Sequence, residues 1–120
     1  MPDAYFEVIY PNSDVQCVLV EIDMGTLTLR RFGRKVQAFE AALDDGVFQR
    51  HFPNRDEFEV LVLTSSCRRL QALRQVAARA VQGGRHDLWC FATFEALEPK
   101  VFGDAESIDL DGSTVCGVLN

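Results

Sequence analysis

"VLVEIDMGTLTLRRFGRK", residues 18–35, is the stretch on which the fold turns. Val18, Leu19 and Val20 leave no polar side, so the run reads as a strand covered on both faces rather than a half-exposed edge. It ends on Glu21 and Asp23, which are two apart and therefore point to the same side of the strand. Gly25 and Thr26 break the pattern. From Leu29 onward the apolar residues change period: Leu29, Phe32, Val36, Phe39 and Leu43 recur at the spacing of an amphipathic helix. Gly33 lies inside that stripe and costs a helix about 1 kcal/mol relative to alanine, which predicts that the regular helix begins near Gly33. Asp44-Asp45-Gly46 supplies its end.

Upstream, residues 5–10 alternate, with Phe6, Val8 and Tyr10 on one side and Glu7 on the other, and form a strand. Pro11-Asn12-Ser13-Asp14 is dense in turn formers, so this strand and residues 16–23 make a hairpin. Downstream, residues 47–57 read as a loop and residues 58–63 (FEVLVL) as a buried strand. Thr64, Ser65 and Ser66 are each able to cap the helix predicted over residues 67–81. Its inward residues are Leu70, Leu73, Val76, Ala77, Ala80 and Val81, and Gly83-Gly84 is its stop. Residues 88–94 (LWCFATF) form a fourth strand, in which Trp89 reads as core. The tail, residues 104–120, reads as a hairpin extension around Asp111-Gly112. Strands separated by helices of this length imply βαβ crossovers. The expected architecture is α/β: one domain over residues 1–120, with a mixed central sheet and helices packed on its faces.

A chain of 120 residues, 48% hydrophobic and 25% charged, buries a sizeable single core. Eighteen acids against 12 bases give a net charge of −6, which repels polyanions at long range. Any nucleic-acid surface must then be local. The bases are grouped: Arg30, Arg31, Arg34 and Lys35 in one cluster, and Arg68, Arg69, Arg74, Arg79 and Arg85 in another that reads as a solvated helix face. The four cysteines, Cys17, Cys67, Cys90 and Cys116, contain no CxxC pair, and the chain opens on the polar MPDAYFEV, so reduced thiols and a cytoplasmic location are expected. Cys17 and Cys90 lie in apolar runs and behave as small hydrophobes. His51 and His86 have no cysteines at zinc-site spacing, and no run approaches the roughly 20 apolar residues needed to span a membrane.

Glu21 and Asp23 are expensive to leave at the end of a two-sided apolar strand unless paired or liganded. The hairpin folds Asp3 back towards them, and in a register that sets it opposite or diagonal to Asp23 the three carboxylates converge; a slip of one residue sends Asp3 to the other face. Clustered carboxylates suit a hard cation such as Mg²⁺ or Mn²⁺. Asp3, Glu21 and Asp23 are thus the candidate metal ligands. Lys35 is placed to stabilise charge developing on a phosphodiester, and Arg30, Arg31 and Arg34 to meet the phosphates of DNA. The simpler structural reading pairs the two strand-end acids with Arg30 or Arg31.

These residues carry a resemblance. "PDAYFEV" followed by "VLVEID" resembles the PD-(D/E)xK nuclease-like core, with Pro2-Asp3 matching the PD and Glu21 the D/E. "PDAYFEV…LVEIDMGT…RKVQAF" is similar to the nuclease-like portion of the replication-relaxation family of plasmids and mobile elements. The family's ExD-G-T element corresponds to Glu21, Asp23, Gly25 and Thr26, and its Lys-xxx-aromatic helix to Lys35 and Phe39. "FEVLVLTSSCRRLQALR" and "LWCFATFEAL" resemble its remaining strand, helix and strand, so the likeness spans roughly residues 2–103. It implies a restriction-endonuclease-like core, catalytic Asp3, Glu21 and Lys35, and metal-assisted action on DNA in replication or transfer. Asp23 stands where the ExK motif has its lysine, which leaves Lys35 or an arginine to take that role. The family's earlier edge strand is absent before the PD strand, and the tail hairpin or a second copy of the chain, in a homodimer, would supply it.

Two functions stay open at this point: a metal-dependent nuclease or nickase-like enzyme, and a catalytically silent relative that keeps the fold and serves as a DNA- or protein-interaction module. A small-molecule enzyme lacks support, since there is no Gly-rich phosphate loop and no nucleophile with a base beside it.

Overall fold

The computed structural model describes residues 2–52, 58–81 and 88–97 and two strand segments, 106–109 and 114–116. Strand β1 (Ala4–Ile9) and strand β2 (Val15–Ile22) form the hairpin, paired from Ala4 with Val20 to Ile9 with Val15. The Asn12 side chain accepts from the Asp14 N–H at 3.0 Å, the Tyr10 N–H donates to the Asp14 carbonyl at 2.9 Å, and the Ser13 N–H donates to the Tyr10 carbonyl at 2.9 Å. These local bonds set the register, because Asn and Asp satisfy turn backbone that no strand partner reaches.

Helix α1 (Leu29–Asp44) begins at Leu29 rather than near Gly33. Thr28 is the cap, its hydroxyl accepting from the Arg31 N–H at 3.1 Å, and a capped first turn tolerates the glycine that follows. Gly33 has a packing reason: a Cβ there would come within 3.2 Å of Val76 Cγ1 on helix α3 (Cys67–Ala80). Leu29 heads the apolar stripe yet remains 39% exposed. The expected loop after α1 contains a short helix, α2 (Val47–His51), entered through Gly46 at φ +70°. Its cause is Phe48, which is buried between Phe39 and Phe58 with ring centroids 5.9 and 6.0 Å away.

Strand β3 (Phe58–Thr64) runs parallel to β2, and strand β4 (Trp89–Thr93) parallel to β3. Ser66 caps α3 by accepting from the Arg69 N–H at 3.1 Å. A one-turn helix, α4 (Phe94–Leu97), takes up the end of the predicted fourth strand. Strand β5 (Glu106–Asp109) pairs antiparallel with β4, and strand β6 (Thr114–Cys116) antiparallel with β5. The tail hairpin thus extends the sheet, whose spatial order is the chain order β1 to β6. The Gly83-Gly84 stop and the Asp111-Gly112 turn lie outside the described residues.

The mixed sheet flanked by helices is observed, with one correction: α1 and α3 share a single face instead of covering both. Successive crossovers of one hand, taken in one direction across a sheet, deliver their helices to the same side. Phe32, Val36, Leu70, Leu73 and Ala77 pack there on Cys17, Leu19, Val60, Val62, Trp89 and Phe91. The opposite face buries Val18, Val20, Leu61, Leu63, Cys90 and Ala92, with Phe6, Val8 and Phe94 against them. The odd-numbered residues of β2 therefore point towards the helices, and this alternation aims Glu21 and Asp23 at α1 and α3.

Because α1 and α3 approach closely at Gly33, Gly33→Leu is expected to lower stability by about 1–3 kcal/mol through overpacking. Urea denaturation should show Val76→Ala restoring part of that loss in the double variant and none of it in a variant made elsewhere on α3.

Candidate active site at the end of β2

Asp23 lies one residue past β2, and its N–H donates to the Leu63 carbonyl at 2.8 Å, continuing the β2–β3 ladder. Only 5% of the residue is exposed. Its Oδ2 accepts from Thr64 Oγ1 at 2.7 Å and from Arg69 Nε at 3.0 Å, while Oδ1 accepts from Arg69 Nη2 at 3.0 Å. The same Nη2 donates to the Leu27 carbonyl at 2.6 Å. A two-pronged guanidinium thus ties the strand end to the loop that enters α1. The Gly25 N–H also bonds the carboxylate. Gly25 has φ +81° with open space where a Cβ would stand, so backbone conformation and not crowding calls for glycine. Burial alone would raise the Asp23 pKa, but the hydrogen bonds of Arg69 and Thr64, the Arg69 charge and the Gly25 N–H outweigh it and hold the carboxyl below its ordinary 3.8.

Glu21 is in the opposite condition. It is 3% exposed, and Lys35 Nζ forms an ion pair with its Oε1, the lysine side chain keeping 41% of its surface in solvent. Oε2 is buried without a hydrogen-bond partner among the described residues. Burial pushes the carboxyl above its ordinary 4.5; Lys35 opposes the shift and the charge of Asp3 adds to it.

Asp3 sits beside Glu21 at the open end of β1. Its N–H donates to the Val20 carbonyl at 2.9 Å and its Oδ2 accepts from the Ile22 N–H at 2.8 Å, so an exposed carboxylate ends the hairpin ladder. The expected cluster of three carboxylates is therefore divided. The Asp3 carboxylate is bound to the Ile22 N–H and its charge reaches Glu21, Glu21 is paired with Lys35, and Asp23 turns to Thr64 and Arg69. Among the described residues no group of three or more His, Cys, Asp or Glu is arranged to hold a metal ion. Arg30, Arg31 and Arg34 are exposed along the first turns of α1, with Arg31 one turn before Lys35 on the same side.

Arg69 and Thr64 are the residues that reading the sequence missed. Asp23 pairs with Arg69 of α3, not with Arg30 or Arg31, because the parallel register sets Ile22 beside Leu63 and so brings Asp23 to Thr64, over which α3 begins. The available signal was the serine cap at Ser66 with an arginine three residues into the helix it starts. An open cleft of about 860 Å³, lined by Tyr10, Asp14, Gln16, Phe58 and Glu59 among others, lies at the other end of β2 and β3, away from these acids. The acids themselves stand on an open strand end. No protein-family model matches the chain, and comparison with curated proteins and with solved structures gives no match.

The two acids should carry opposite signs in stability. Asp23, with its folded pKa lowered, contributes stability that is present above its unfolded pKa and is lost as pH falls through the folded value. Glu21, with its folded pKa raised, makes the fold less stable as pH rises from its ordinary value through the folded one. At pH 7, Asp23→Asn is expected to cost about 3 kcal/mol, the cost of leaving a partly buried arginine without its partner. Glu21→Gln should leave the melting temperature equal or higher. Thermal melts at pH 7 and at pH 3.5 test both: each difference from wild type should shrink at the lower pH.

Proposed function

We propose that this chain is a metal-dependent DNA nuclease or nickase-like domain with a restriction-endonuclease-like core, acting in plasmid or mobile-element replication or transfer. The single observation that carries the reading is the buried Glu21 carboxylate at a strand end, paired with Lys35, in the field of Asp3, and with one oxygen that no group among the described residues bonds. A fold gains nothing from burying a carboxylate in this state, so its use lies in what it binds. The resemblance of PD, ExD-G-T and Lys-xxx-aromatic to the replication-relaxation pattern points the same way.

Mg²⁺ is commonly held through one or two carboxylates together with water and substrate oxygens. Asp3 and Glu21 would supply that donor set, with Glu21 Oε2 as the oxygen left open for it among the described residues. When bound, such an ion orients an attacking water and neutralises charge on the phosphodiester. Lys35, half in solvent at the mouth of the site, would turn from Glu21 to the phosphoryl oxygens and stabilise the negative charge that builds there. Arg31, with Arg30 and Arg34, would neutralise the flanking phosphates. Asp23 needs no ion, since Arg69 already neutralises it. Its part is to hold the loop joining the strand that carries Glu21 to the helix that carries Lys35.

A second reading, a catalytically silent interaction module, is favoured by one observation: the residue in the place of the ExK lysine, Asp23, is locked in a structural bond. Nicking of supercoiled plasmid separates the two. Purified protein should nick with Mg²⁺ or Mn²⁺, lose activity with EDTA, and lose at least about 100-fold in Glu21→Gln and in Lys35→Ala while Lys35→Arg recovers part of it. Folded wild-type protein that neither nicks nor shows a metal-induced rise in melting temperature would leave the silent module.

A further inference from the structure

Exposed large hydrophobic residues are few among the described residues: Ile9, Ile22, Met24 and Leu29. Three of these four fall between positions 22 and 29, the segment that leaves the site. Met24 is 71% exposed, directly after the clamped Asp23; Ile22 is 40% exposed at the end of β2, on the sheet face opposite Glu21, with its N–H held by Asp3; Leu29 is 39% exposed at the first turn of α1. Of the neighbouring acids, Glu21 is paired by Lys35 and Asp23 by Arg69, and Asp3 keeps an exposed carboxylate that accepts from the Ile22 N–H. The charges left in solvent next to Leu29 are those of Arg30, Arg31 and Arg34.

An apolar rim followed by a short row of arginines matches a ligand that alternates anionic groups with flat apolar faces. Duplex DNA offers the anions but keeps its base faces stacked inside. A strand with unpaired bases offers both. Aliphatic side chains that contact DNA commonly do so by entering between bases, at a cost in unstacking that is smallest where the bases are already unpaired.

We propose that the site takes DNA with unpaired bases, Met24 and Leu29 contacting the base faces while Arg31 and the adjoining arginines hold the phosphates. This rests on the reading of the chain as a DNA-acting domain and names its substrate form. The clamp gives the rim its stiffness: Gly25 N–H and Arg69 hold Asp23, and Arg69 also holds Leu27, so Met24 stands on a loop fixed on both sides. A fixed loop costs less ordering on binding than a free one.

The test uses binding rather than cleavage, so that it stays separate from the nuclease reading. A fluorescein-labelled 20-mer single strand of mixed sequence and the duplex of the same sequence are titrated by anisotropy with the full chain in EDTA, at two salt concentrations. The single strand should bind at least about 10-fold more tightly. Met24→Ser, an exposed change whose melting temperature should match wild type, is expected to weaken single-strand binding about 5- to 10-fold and to leave duplex binding unchanged. Arg31→Ala should weaken both and reduce the salt slope by about 0.7 on the single strand. Equal affinity for both forms, an equal effect of Met24→Ser on both, or no binding of either by folded protein would overturn the proposal. Single-strand preference in a chain that never nicks would uphold it and refute the nuclease reading alone.

Discussion

The bidentate bond between Arg69 and Asp23 is the constraint on which the end of the sheet depends. It joins elements far apart in the chain: the end of β2, the loop at Leu27, and the first turn of α3 above β3. Without it, a buried carboxylate and a partly buried guanidinium would each lack a partner, and the loop that turns the chain from strand to helix would lose its hold. Thr64 and the Gly25 N–H fill out the remaining acceptor capacity of Asp23. Such a network favours a unique geometry only when its members are satisfied, and here they are.

That satisfaction makes the neighbouring Glu21 stand out. Two residues earlier and on the same face, an equally buried carboxyl has one oxygen unbonded among the described residues and a lysine partner that keeps 41% of its side-chain surface in solvent. Sequence position does not separate the two acids; what lies over each does. Asp23 meets the rigid start of α3, whereas Glu21 meets the second turn of α1 and the exposed Asp3. The result is a pair of carboxyls whose affinities for the proton are driven apart, the usual mark of groups given different tasks. Stability is spent at Glu21 and recovered at Asp23.

Much of the fold was legible because the chain signals it locally. The two-sided apolar run of β2, the helical stripe of α1 and the serine before α3 each arise from interactions within a few residues, and the strands and α3 appear within a residue or two of where periodicity puts them, while α1 starts four residues before the expected Gly33. What was not legible depended on distant partners. Gly33 looked like a late helix start because its purpose, closeness to Val76, is set by another helix. The segment after α1 looked like a loop because Phe48 folds it only against Phe39 and Phe58. At the site, the residue types and the strand were readable, but the division of three acids into two groups required knowing that β3 is parallel to β2 and that α3 starts over its end.

Direct observation of the two carboxyls is the most incisive measurement: a ¹³C NMR titration following Glu21 Cδ and Asp23 Cγ between pH 2 and pH 8 in the folded chain. Glu21 is expected to titrate above its ordinary 4.5 and Asp23 below its ordinary 3.8. Lys35→Ala should move Glu21 further upward and leave Asp23 in place. If Glu21 titrated at or below its ordinary value, or if Asp23 were the raised group, the division between a desolvated carboxyl and an arginine-clamped one would be wrong.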